Sequence, residues 1–106
     1  MDERERRLAK NEVFFRESNE LVARGLATKG FARADFICEC SKLGCVERVP
    51  ITLDDYRRVR ELGVRFVVIP GHEDLTLEVV VERNAGYVVV EKVGDAAEVA
   101  RETDLR

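Results

Sequence analysis

A chain of 106 residues, 45% of them hydrophobic, is long enough for one domain with a core and too apolar for wholesale disorder. Charged residues reach 37%, yet 18 Lys and Arg against 21 Asp and Glu leave a net charge of only −3, a poor match for a phosphate backbone, so no nucleic-acid partner is expected. No apolar run approaches the ~20 residues of a membrane helix, and the charged start Met1-Asp2-Glu3-Arg4-Glu5-Arg6-Arg7 leads into no secretory h-region, so the expectation is a cytoplasmic protein with no membrane partner.

Residues 3–28 read as one helix. Leu8, Phe14, Phe15, Leu21, Val22 and Leu26 fall within an arc of about 140° at ~100° per residue. Asn11, Ser18 and Gly25 lie in the same arc at seven-residue spacing, beside Leu8, Phe15 and Val22. Two arrangements would satisfy this stripe: packing on a sheet through the phenylalanines, or pairing with a twin helix in a homodimer whose register Asn11 sets. A helix of about 26 residues is a rod of ~39 Å, long for so small a domain, which favours the homodimer. Gly25 and Gly30 mark where it should fray or stop.

Residues 34–38 and 46–51 suit two short strands, the second with Val49 and Ile51 on one face and Pro50 at an edge or end. Thr52 is placed to cap a second helix, with Asp54 and Asp55 at the positive end of its dipole. Leu53, Tyr56, Val59 and Leu62 form its apolar stripe, and Gly63 ends it. Residues 64–69 are a β-rich run stopped by Pro70-Gly71. Residues 75–83 and 87–93 form a hairpin through Asn84-Ala85-Gly86, with Leu75, Leu77, Val79 and Val81 on one face and Thr76, Glu78 and Glu82 on the other. After Gly94 the pattern turns polar, with a weak helix at 95–103. The expected fold is α+β: a long N-terminal helix, a short second helix, a small antiparallel sheet with a C-terminal hairpin, and a zinc knuckle. One domain spans 1–94 and a polar tail spans 95–106.

The chain's three cysteines, Cys38, Cys40 and Cys45, lie within eight residues, and it has a single histidine, His72. Structural zinc takes four tetrahedral Cys or His donors, and thiolates on one metal must converge from a tight turn. Cys38 and Cys40 are two apart, so an extended backbone points both to one face. Cys40-Ser41-Lys42-Leu43-Gly44-Cys45 supplies the turn, with Gly44 free to take a positive φ. The fourth vertex has His72 as its leading candidate, just past the Pro70-Gly71 turn. Asp35, Glu39, Glu73 or a water could fill it instead. Buried cysteines or a redox pair are the competing readings. A disulfide is disfavoured by the odd count, by a reducing cytosol and by the strain of a Cys38–Cys40 ring.

Several strings also resemble a family of small, uncharacterised actinobacterial proteins with a C-x-C-x4-C … P-G-H pattern. They are Phe36-Ile37-Cys38-Glu39-Cys40, Cys45-Val46-Glu47-Arg48, Leu53-Asp54-Asp55-Tyr56-Arg57-Arg58-Val59-Arg60 and Phe66-Val67-Val68-Ile69-Pro70-Gly71-His72-Glu73. The helix at 11–20 and the strand at 87–92 are similar too, so the likeness covers about residues 10–104. It implies a free-standing small protein with the three-Cys, one-His set and carries no activity with it. Ser41 stands where the pattern has a glycine.

Three functions compete. A closed zinc site would make a structural module for interaction or regulation, with an unidentified protein partner. Three thiolates would make a redox sensor that releases zinc on oxidation, with Lys42 and Arg48 lowering thiol pKa values. A water as fourth ligand, with Glu39 or Glu73 as general base, would make a zinc hydrolase. No P-loop, GxGxxG, HExxH or nucleophile elbow is present, so an enzyme is the lesser expectation. Arg57, Arg58, Arg60 and Arg65 form a basic cluster, diluted by Asp54, Asp55 and Glu61.

Overall fold

A computed structural model describes residues 3–30, 33–42 and 45–104, with side chains over 12–30, 35–42 and 45–104. The elements are α1 (Glu3–Lys29), β1 (Arg33–Ile37), β2 (Arg48–Thr52), α2 (Leu53–Val59), β3 (Arg65–Val68), β4 (Glu78–Asn84), β5 (Tyr87–Lys92) and α3 (Gly94–Glu102). The fold is α+β, as expected, but its strands form two antiparallel sheets rather than one: β1-β2, and β3-β5-β4. In the first, Phe36 faces Val49 and Asp35 faces Pro50. Pro50 has no N–H, so an edge strand is where it costs no ladder bond.

The segment after β1 stitches the sheets together. Cys38 donates its N–H to Glu47 O at 2.9 Å, and Glu39 donates to Val67 O in β3 at 2.8 Å. Around this seam lies the core. Phe36 stacks on Tyr56 with centroids 4.4 Å apart. Val49, Val59, Val67, Val68, Val88 and Val90 are buried beside them. Thr52 caps α2 by accepting the Asp55 N–H at 3.1 Å, and Leu53, Tyr56 and Val59 face inward. Leu62 does not: the helix stops at Val59, and Arg60 turns inward in its place.

Part of the expected apolar stripe of α1 faces away from the body, although Leu26 packs against the core. Phe14 is 62% exposed and Leu21 67%, while Phe15 and Leu26 are half-buried; the side chains of Leu8 and Asn11 lie outside the described residues. The inward face is instead Glu12, Val13, Arg16, Asn19, Glu20 and Ala23. Buried polar groups are tolerated where each has a partner. Arg16 donates to Gly63 O at 2.5 Å and Ala100 O at 2.8 Å, and lies 4.5 Å from the Phe66 centroid. Asn19 donates to Ile37 O at 2.7 Å and accepts from Ile37 N at 2.8 Å. Glu20 accepts from Arg60 at 2.8 Å. Lys92 sits between Glu12 and Glu78 and pairs with both.

That last triad reverses the expected face of β4. Glu78 points in and Val79 and Val81 point out, while Leu75 and Leu77 precede the strand, Leu75 exposed and Leu77 buried as expected. The register against β5 shifts between Val80 and Glu82, a bulge that breaks the simple alternation. After Gly94 the chain forms α3, whose Ala96, Ala97 and Ala100 are buried. Small side chains let it lie close to its neighbours.

One cation between two buried carboxylates leaves an excess of negative charge. Burial first, and the Glu78 charge after it, lift the Glu12 pKa from 4.5 to about 8 against the pull of Lys92. The folded state then holds a proton that the unfolded chain has already lost. Folding stability is therefore expected to fall as pH rises from about 4.5 to about 8. Glu12→Gln keeps the neutral form and should flatten that part of the slope. Urea midpoints across this range, compared between the two proteins, measure the difference.

Candidate metal centre

Three segments converge at one end of the seam between the sheets: the stretch after β1, the approach to β2 and the turn after β3. Cys38 and Cys40 come from the first, Cys45 from the second and His72 from the third. The turn at Ile69–His72 has proline second and glycine third, with Gly71 at φ 94° and His72 N–H donating to Ile69 O at 2.9 Å. That is the pattern of a type II turn, which requires a positive φ at its third residue. Cys45 N–H donates to Lys42 O at 3.2 Å, closing the cysteine loop. Gly44, expected to take a positive φ there, lies outside the described residues.

The four donor atoms all lie within 4.8 Å of one another. His72 Nδ1 is 3.7 Å from Cys38 Sγ and 3.6 Å from Cys45 Sγ. Tetrahedral zinc with bonds of ~2.3 Å to sulfur and ~2.0 Å to nitrogen requires donor separations of about 3.6 Å. A Cys3His set with this spacing suits a thiophilic divalent ion. The three sequence-expected thiols and the imidazole are thus brought to one point.

The other nitrogen of His72 is also held. Nε2 lies 2.9 Å from Glu47 Oε2, so the carboxylate orients the ring with Nδ1 toward the sulfurs. Sequence reasoning gave Glu47 no role; its place two residues after Cys45 was the only available signal. Cys38 Sγ accepts the Ile69 N–H at 3.2 Å, which fixes one sulfur to the turn that carries His72. Ser41 is buried, and its hydroxyl donates to Asp74 at 3.3 Å. Ser41 therefore ties the cysteine loop to the segment beyond His72.

Of the alternative ligands, Asp35 is exposed and Glu73 accepts the Gly71 N–H at 2.9 Å; neither joins the cluster. Glu39 points the other way. It is fully buried and accepts from Asn19 at 2.9 Å, Tyr56 at 2.7 Å and Val67 N–H at 2.9 Å. Burial pushes its pKa up against the pull of those donors. It braces the fold and does not join the thiol cluster.

The thiols share protons unequally. A hydrogen bond from Cys38 lowers the Cys40 pKa to about 5, with Lys42 helping through its backbone N–H. Cys38 is raised in turn, first by that bond and then by burial, and burial raises Cys45. Three adjacent thiolates repel one another, so binding a dication would release the remaining protons.

Among the described residues no helix is long and apolar enough to cross a membrane. Comparison with protein-family models, curated proteins and solved structures finds no match to the chain.

Proposed function

We propose that Cys38, Cys40, Cys45 and His72 bind one zinc ion, and that this ion is structural, making the chain a small interaction or regulatory module. The observation that carries the reading is the convergence of four Cys and His donors within 4.8 Å of one another, from segments up to 34 residues apart. Free thiols at that density suit a reducing, cytoplasmic setting. A set closed by His72 leaves no vertex for an activated water. Of the two bases the hydrolase alternative would use, Glu39 is occupied by three donors and Glu73 accepts the Gly71 N–H. The redox-sensor alternative draws on Cys45, the one thiol of the three that is not buried, where an oxidant could reach the cluster.

Protein purified without added metal is expected to carry one equivalent of zinc by elemental analysis. His72→Ala should weaken zinc binding on the order of a hundredfold or more and lower the melting temperature with it, because one ligand and its Glu47 brace go together. Cobalt substitution gives a second readout: three thiolates produce intense charge-transfer bands that weaken in each cysteine variant. A His72→Ala protein that keeps both its zinc and its melting temperature would overturn the structural reading in favour of an open site. Peroxide titration with zinc release as the readout tests the sensor.

A further inference from the structure

Phe14, Ser18, Leu21, Gly25 and Thr28 recur at alternating steps of four and three, the ~3.5-residue period of a seam between two helices. They lie opposite the face that Glu12, Arg16, Asn19, Glu20 and Ala23 press into the body. The two large members, Phe14 and Leu21, are 62% and 67% exposed, and they alternate with Ser18 and Gly25, which are small. The two hydroxyls need nothing from solvent: Ser18 donates to Phe14 O at 3.1 Å and Thr28 to Arg24 O at 3.0 Å, both within the helix.

We propose that this face binds a second copy of the chain, with the two α1 helices antiparallel and Phe14 of each seated on Gly25 of the other. In that register Ser18 meets Leu21 of the second copy, so every large side chain faces a small one. Such alternation allows an interaxial distance near the ~8 Å lower limit of helix packing. The flanks agree. On one side Glu17 meets Arg24 of the second copy, twice by symmetry, giving opposite charges. On the other Phe15 meets Val22, and Phe15 is already braced edge-on against Phe14 with centroids 5.6 Å apart. A parallel pair would set Phe14 on Phe14 and Gly25 on Gly25, leaving alternate clash and void, and would place Glu17 beside Val22. The size pattern and the charge pattern select the same arrangement independently. The interface is isologous, so it closes at two copies.

The test uses the full chain in sedimentation equilibrium, where a dimer is expected at micromolar concentration. A Cβ at Gly25 meets nothing within 4 Å in the single chain, and leucine is the better helix former, so Gly25→Leu should keep the monomer folded by circular dichroism. In the dimer that leucine collides with Phe14, and the dissociation constant should rise roughly tenfold to a hundredfold. Glu17→Arg and Arg24→Glu should each weaken self-association, and mixing the two should restore it as a heterodimer with both charge pairs complementary. A chain that stays monomeric at hundreds of micromolar, or a dimer indifferent to Gly25→Leu, overturns the proposal. A mixture no more associated than its components overturns the antiparallel register. None of these outcomes depends on metal binding, so the seam and the zinc site fail or stand separately.

Discussion

Cys38→Ala is expected to cost about 3–5 kcal/mol of folding stability, a large share of the ~5–15 kcal/mol that holds a typical domain. Two losses combine. The proposed zinc would lose a thiolate whose sulfur lies 3.7 Å from His72 Nδ1, and the Ile69 N–H would lose its acceptor at 3.2 Å. An amide left unpaired costs ~1–3 kcal/mol by itself. The side chain is fully buried, so water cannot readily replace it. A drop in melting temperature of roughly 15 °C or more follows for a chain of this size. Thermal melts with and without a chelator separate the two losses. Chelator should lower the parent protein's transition by the metal's share and leave that of Cys38→Ala almost unmoved. Equal, sizeable responses in both proteins would show that Cys38 is not needed to hold the metal, and no response in either would show that the metal contributes nothing to the fold.

Arg60→Ala should be comparably severe, by a route that has no metal in it. Arg60 is fully buried, donates to Glu20 at 2.8 Å and to Asp104 at 2.5 Å, and lends its charge to Glu39. Removing one partner of a buried ion pair strands the other, a loss of about 3–5 kcal/mol. Three carboxylates from α1, the cysteine segment and the stretch after α3 would lose a shared cation at once. Arg60→Lys should recover only part of the loss, because a single ammonium cannot span two carboxylates held in a guanidinium's fork. Urea midpoints of the three proteins check the order: parent above lysine above alanine.

The candidate metal cluster was legible because its signal is chemical. Three thiols in eight residues and a solitary imidazole behind a Pro-Gly turn restrict the options before any backbone is drawn. The helices and strands were legible for a similar reason: Thr52 has a capping hydroxyl, and Asn84-Ala85-Gly86 separates two valine-rich runs. What periodicity could not tell was which face of α1 points inward. It ranks phenylalanine above arginine, but Arg16 is buried because Gly63, Ala100 and Thr103 wait for it 47 to 87 residues away. The same blindness reversed β4. Glu78 looks like a solvent residue until Lys92 and Glu12 are beside it, and once Glu78 points in, the alternation of the strand turns Val79 and Val81 out together. Leu62 and Arg60 exchanged roles on the same ground. Glu39, a plausible base by its position between two cysteines, was claimed instead by three donors from elements the cysteine motif does not contain.

The polar attachment of α1 also sets an order of events during synthesis. Glu12 and Arg16 emerge from the ribosome before their partners, and Lys92 and Ala100 follow 80 and 84 residues later. At ~5–20 residues per second the helix waits several seconds with its charged face in water and its apolar stripe uncovered. An ordinary amphipathic helix would spend that interval sticking to other nascent chains through the face meant for its core. Here the face meant for the core is soluble on its own, and the side chains open to such contacts are those of the outward face, Phe14 and Leu21. Closure comes last, when Lys92 and the Ala100 carbonyl arrive together, and that long-range step is the one expected to limit how fast the chain matures.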